Sequence, residues 1–105
     1  MAWLVLIVAG LLEVVWAFSM KLSEGFSRLG PSLVTLVAMA ASFALLAWSM
    51  RSLPLGTAYT VWTGIGALGA FVVGIVFLGE SVTALRLLAA ALILSGLVLM
   101  KLSSA

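Results

Sequence analysis

The chain has 105 residues, 66% of them hydrophobic and 8% charged, with a formal net charge of +2. Soluble domains run about 45–50% apolar and about 25% charged, so this composition belongs to a membrane protein whose function lies within the bilayer rather than in a separate soluble domain. Cys and His are absent, which excludes disulfides, thiol chemistry and the usual zinc or haem ligand sets, and no metal or other cofactor is expected.

A bilayer crossing needs roughly 20 residues of apolar helix, and four runs approach or exceed that length. The first spans 3–20 and carries one charge, Glu13, near its middle. The second, 31–50, has no charge and starts at Pro31, which suits the first turn of a helix. The third, 55–78, is punctuated by Pro54 before it and Gly79 after it. The fourth, 84–100, has Arg86 near one end and Lys101 just past the other, where both can snorkel to the headgroups. The intervening connections are short, so successive helices should be antiparallel neighbours. The expected fold is all-α: one transmembrane domain over 1–105, four helices per subunit, up and down. With no basic n-region and a carboxylate inside the first apolar run, a cleaved signal peptide is a poor reading, and helix one is expected to remain.

The pI near 9.7 comes from five dispersed basic residues against three acidic ones. Without a Lys or Arg run it does not indicate a nucleic-acid partner. Orientation depends on how those bases divide between the two membrane faces. Arg51, Lys101 and the α-amino group fall on one face; Lys21, Arg28 and Arg86 fall on the other. The near balance predicts dual topology, in which oppositely inserted copies pair as an antiparallel homodimer, an arrangement related to the inverted repeats of transporters.

A carboxylate at the bilayer centre costs about 2.5–3.5 kcal/mol on insertion scales. It can be a protonated group bonded to a neighbouring helix, or an ion and proton site. The second reading is favoured because no base lies at comparable depth in any run, which leaves a proton or an arriving cation as the partner of Glu13. At helical spacing its neighbours include Ala9, Gly10 and Ala17, small enough to leave room, and Trp16, whose π-face can meet a cation. Trp3 and Trp48 lie near run ends and are expected at the interface.

The second run carries Thr35, Ser42 and Ser49 at spacings of seven. Thr35 and Ser49 are expected to bond carbonyls of their own helix; Ser42, near the midpoint, is a candidate donor to the Glu13 carboxylate. In the third run Tyr59, Trp62, Thr63 and Gly66 share a face, and buried Tyr OH and Trp N–H groups need partners. Gly64, Gly66 and Gly69 match G-x-G-x-x-G, but no strand precedes them. They are read as a place where helix three can bend, gate or approach a neighbour closely. In the fourth run Ala91 and Ser95 make a small-xxx-small pair beside Gly96, an expected dimer contact.

Taken together, the run Leu22-Ser-Glu-Gly-Phe-Ser-Arg28, the run Gly56-Thr-Ala-Tyr-Thr-Val-Trp62 and the membrane glutamate resemble the small multidrug resistance family over nearly the whole chain. Glu-Val-Val-Trp over 13–16 is similar to the guanidinium exporter branch, and Trp16 is the discriminating position. The resemblance implies a proton-coupled antiporter of the bacterial inner membrane, an antiparallel dimer sharing one site between two copies of Glu13. It also implies that Ser42 and Trp62 orient the glutamates, Trp16 lines the pocket and Tyr59 helps close it. The expected partners are guanidinium or a related small cation, protons, membrane lipid and a second copy; enzymatic activity is not expected. Two other readings stand beside this one. A broader exporter of quaternary ammonium ions would rely on the aromatic residues, and a membrane subunit that only assembles with a partner would have no use for an unpaired acid at Glu13.

Overall fold

The computed structural model describes residues 1–103 as four helices: α1 Ala2–Leu22, α2 Leu29–Ser49, α3 Leu55–Leu78 and α4 Ala84–Ser103. Each is long and apolar enough to cross a membrane. Helix ends differ from the apolar runs where polar residues can continue a helix. α1 runs on through Lys21, whose charge in the last turn complements the carbonyl end of the helix. α2 starts at Leu29, two residues ahead of Pro31, which sits in the first turn where its missing N–H is no loss. α4 takes in Lys101 and stops at Ser103. At its start, the Thr83 hydroxyl accepts the Arg86 backbone N–H at 3.1 Å, a side-chain cap.

The four helices form a slab of 43 × 35 × 16 Å. A helix with its side chains is about 10–12 Å across, so the slab is little more than one helix thick. α1 is central and packs on both α2 and α3, whereas the backbone of α4 approaches only α3. No described residue of α4 is buried. At one edge the Lys101 ammonium lies 4.6 Å from the centroid of the Trp3 ring and ties the end of α4 to the start of α1.

The core cluster is Leu6, Ala9, Leu46, Ala58, Val61 and Trp62. All six lie within seven residues of Ala2, Ser49 or Leu55, the helix ends on the face that carries the N-terminus. This apolar cluster is therefore concentrated in that half of the slab, while small and polar residues such as Ser23, Ser32 and Thr35 are buried in the other. The polar seam of α2 faces inward, with Thr35, Ser42 and Ser49 all fully buried. Without a hydrophobic drive between helices in lipid, such close contacts and hydrogen bonds hold the unit together.

Candidate functional site

Depth in the slab can be read by counting from the helix ends at about 1.5 Å per residue. Ala9, Ser42 and Trp62 each stand seven residues from the N-terminal face in α1, α2 and α3. They meet there: the Ser42 hydroxyl donates to the Ala9 carbonyl at 2.7 Å and accepts the Trp62 indole N–H at 3.0 Å. One buried serine thus bonds three helices together.

Glu13 stands eleven residues from the same face, one turn deeper, and so does Gly66 of α3. The Glu13 carboxyl rests directly on Gly66, where only a residue without Cβ leaves it space. Within the single chain, Ser42 and Trp62 are engaged one turn away from the carboxylate. Within the chain Ser42 does not donate to the Glu13 carboxylate; it serves Ala9, and the Trp62 N–H serves Ser42. Thr35 and Ser49 bond the Pro31 and Leu46 carbonyls of their own helix at 2.8 and 2.7 Å.

Glu13 Oε1 is buried with no hydrogen-bond partner, and so is Trp16 Nε1 one turn along α1. Among the described residues these are the only such side-chain atoms. One is an acceptor and the other a donor. The bases of the chain all lie at helix ends or in connections, so none offers Glu13 a charge at its own depth.

An aromatic series lies beside the carboxylate. Trp16 meets Phe43 edge-on at 6.3 Å, Phe43 meets Trp62 at 5.7 Å, and Trp62 meets Tyr59 at 5.6 Å. Phe43 has no part in the sequence reading, although it adjoins Ser42 and its depth could have been counted. The shared face expected for Tyr59, Trp62, Thr63 and Gly66 divides: Trp62 and Gly66 are buried, while Tyr59 and Thr63 line a groove between α3 and α4. Tyr59 is 53% exposed.

The other glycines of α3 are close-approach points. Gly64 lies against Leu97 of α4 and Gly69 against Val14 of α1. On α4, Ala91 and Ser95 are exposed, and the Ser95 hydroxyl bonds the Ala91 carbonyl at 2.8 Å. Gly96 instead lines the groove facing α3.

Comparison with known proteins gives the family. The family model described as Small Multidrug Resistance protein matches residues 1–93. A guanidinium exporter of Yersinia pseudotuberculosis is 62% identical over 104 residues, covering 99% of this chain and 100% of its own length. Guanidinium exporters of Escherichia coli K12 and Citrobacter freundii are 60% and 57% identical over 104 residues, each covering 99% of this chain and 99% of their own length. A chain of four membrane-length helices that matches at this level from end to end belongs to the small multidrug resistance family.

Proposed function

We propose that two copies of this chain, inserted in opposite orientations in a bacterial inner membrane, export guanidinium in exchange for protons. The observation that carries the proposal is the buried Glu13 oxygen with no partner, at mid-membrane depth and with no base beside it. The names of relatives 57–62% identical over their full length support guanidinium as the cation.

Guanidinium is planar, permanently charged and rich in N–H donors, and its fork matches a carboxylate. Glu13 accepts from it, while the Trp16 ring offers a π-face. The unpartnered Trp16 N–H needs an acceptor that none of the described residues supplies, and a guanidinium has none to offer. Glu13 of the second copy would provide one. A slab 16 Å thick cannot enclose a pathway alone, and a second slab laid over the Glu13 face would close it. Ala91, Ser95 and Gly96 would contribute dimer contacts from α4. The Ser42 bonds to Ala9 and Trp62 hold α1, α2 and α3 in register beneath the carboxylate.

Proton and cation compete for the same group, since protonation removes the charge that the cation needs. If the protonated and the cation-loaded dimers turn between inward-facing and outward-facing states while the empty, charged dimer does not, an inward proton gradient drives export. Bending of α3 around Gly64, Gly66 and Gly69, with Tyr59 closing one side, would accompany that turn.

The aromatic series from Trp16 to Tyr59 supports a second reading, a broader exporter of quaternary ammonium ions, which lack N–H donors and bind through π-faces. Proteoliposomes containing only this protein separate the two. Under an inward proton gradient guanidinium should be transported well above a tetra-alkyl ammonium at equal concentration, and Glu13→Gln should abolish transport while leaving assembly intact. Equal transport of both cations favours the broader reading; coupled transport by Glu13→Gln refutes both.

A further inference from the structure

We propose that the groove between α3 and α4 holds one aminophospholipid, with Glu80 taking its ammonium and Arg86 its phosphate. The argument starts at the end of α3. Gly79 adopts a left-handed φ of 69°, and the Glu80 N–H turns back to the Gly74 carbonyl at 3.1 Å. This reversal lays the Glu80 carboxylate on Gly74, which has no Cβ to obstruct it. Glu80 therefore stands at the mouth of a cavity of about 300 Å³ between α3 and α4, walled by Leu68, Phe71, Ala90 and Ile93.

Arg86 stands at the same mouth. Its Nη1 donates to the Ser81 carbonyl at 3.1 Å, which anchors the guanidinium and leaves its remaining N–H groups for another acceptor. No ion pair joins Glu80 to Arg86 among the described residues. The mouth thus presents one anion and one cation at the same membrane face, each with unused hydrogen-bonding capacity. On its other side Glu80 also lines a smaller recess of about 140 Å³ between α1 and α3, which it shares with Lys21.

Below the mouth the groove is apolar and long. Past Ala67 and Ile93 it widens into a second cavity of about 470 Å³ that reaches Met100. Along α4, Arg86 to Met100 covers about 21 Å at 1.5 Å per residue, more than the roughly 15 Å depth of one leaflet of hydrocarbon. An acyl chain fits that length; of the three α4 residues proposed as dimer contacts only Gly96 lines the groove, in its deeper cavity, so a second copy docked on Ala91 and Ser95 leaves the cavity below the mouth open.

The charges decide which lipid. A phosphate meets Arg86 bidentately. A primary ammonium on the same headgroup donates N–H bonds to Glu80, which the trimethylammonium of phosphatidylcholine cannot do. Phosphatidylglycerol brings no cation and leaves Glu80 facing a second anion.

The test offers the purified full-length protein an equimolar mixture of phosphatidylethanolamine, phosphatidylcholine and phosphatidylglycerol with matched acyl chains, and measures retained lipid by native mass spectrometry. Phosphatidylethanolamine should be retained up to about fivefold over the other two, the size of one exposed charge pair. Glu80→Gln should erase its advantage over phosphatidylcholine, Arg86→Gln should lower retention of all three, and Ala90→Trp, which fills the groove without touching the mouth, should do the same. Equal retention of the three lipids, a preference for phosphatidylglycerol, a preference that survives Glu80→Gln, or a groove sealed by a second copy so that no lipid is retained would each overturn the proposal.

Discussion

One methyl group added at Gly66 would overlap the Glu13 carboxyl, and one added at Gly69 would overlap a methyl of Val14. The two collisions have different consequences. The Glu13 carboxyl is the far end of a flexible side chain and can swing aside, whereas Val is stiff at χ1 and sits close to its own backbone. Gly66→Ala is expected to keep the fold and lose most cation transport, because the displaced group is the one proposed to bind the cation. Gly69→Ala is expected to cost about 1–3 kcal/mol of stability through overpacking. Unfolding in detergent alongside transport assays checks both; a Gly66→Ala protein that transports normally would mean the carboxyl position is not critical. The carboxylate also sets the pH response. Since protonated Glu13 cannot hold a cation, guanidinium affinity should weaken as pH falls, by up to one log unit per pH unit for each proton displaced. Calorimetry across about pH 5–8 reads this directly, and an affinity indifferent to pH would refute the competition.

Between helices, the bonds at Ser42 are the ones that join separate elements, whereas Ser49 bonds only a carbonyl of its own helix. Ser42→Ala removes the acceptor of the buried Trp62 N–H together with the link from α2 to α1. Interhelical hydrogen bonds in membranes are worth about 0.6–2 kcal/mol each, so Ser42→Ala, which breaks both, should destabilise the unit by about 1–4 kcal/mol. Ser49→Ala, made in an equally buried serine, should be nearly neutral. Equal losses in the two variants, measured by reversible unfolding in mixed micelles, would show that both serines act only through their volume. The core cluster lies in the same half of the slab, so the Ser42 bonds reinforce the end where the larger apolar side chains are buried.

At the scale of the molecule, the slab leaves Glu13 Oε1 and Trp16 Nε1 unsatisfied and α4 without a buried residue. Those deficits, with the balanced charges of the connections, are what the antiparallel pair is proposed to resolve. Two Lys residues added to the first connection, or to the C-terminal end, should bias insertion in opposite senses, and each variant alone should lose transport. Co-expression of the two should restore it. Labelling of introduced cysteines from each side of the membrane reads the orientation directly; one fixed orientation in the unmodified protein would exclude the pairing.

Four spans and the isolation of Glu13 are legible in the sequence because both are local properties: an apolar run of membrane length, and a charge inside it with no opposite charge in the other runs. The family was legible too, in Glu13, Trp16 and the run 56–62. The partners of Ser42 were not. A backbone carbonyl such as that of Ala9 leaves no trace in side-chain patterns, and a midpoint taken from apolar runs misjudges depth when helix ends move by one or two residues, as at Ala2 and Ser49. Phe43 was missed for a related reason, since its place beside Trp16 and Trp62 depends on how α2 is rotated against α1 and α3. The glycines of α3 announced close approach but not what approaches. Gly66 against Glu13 and Gly74 against Glu80 are decided by the packing of helices and the reversal at Gly79, because a contact across the chain depends on the depth and rotation of both elements, and neither is written in the residues of one.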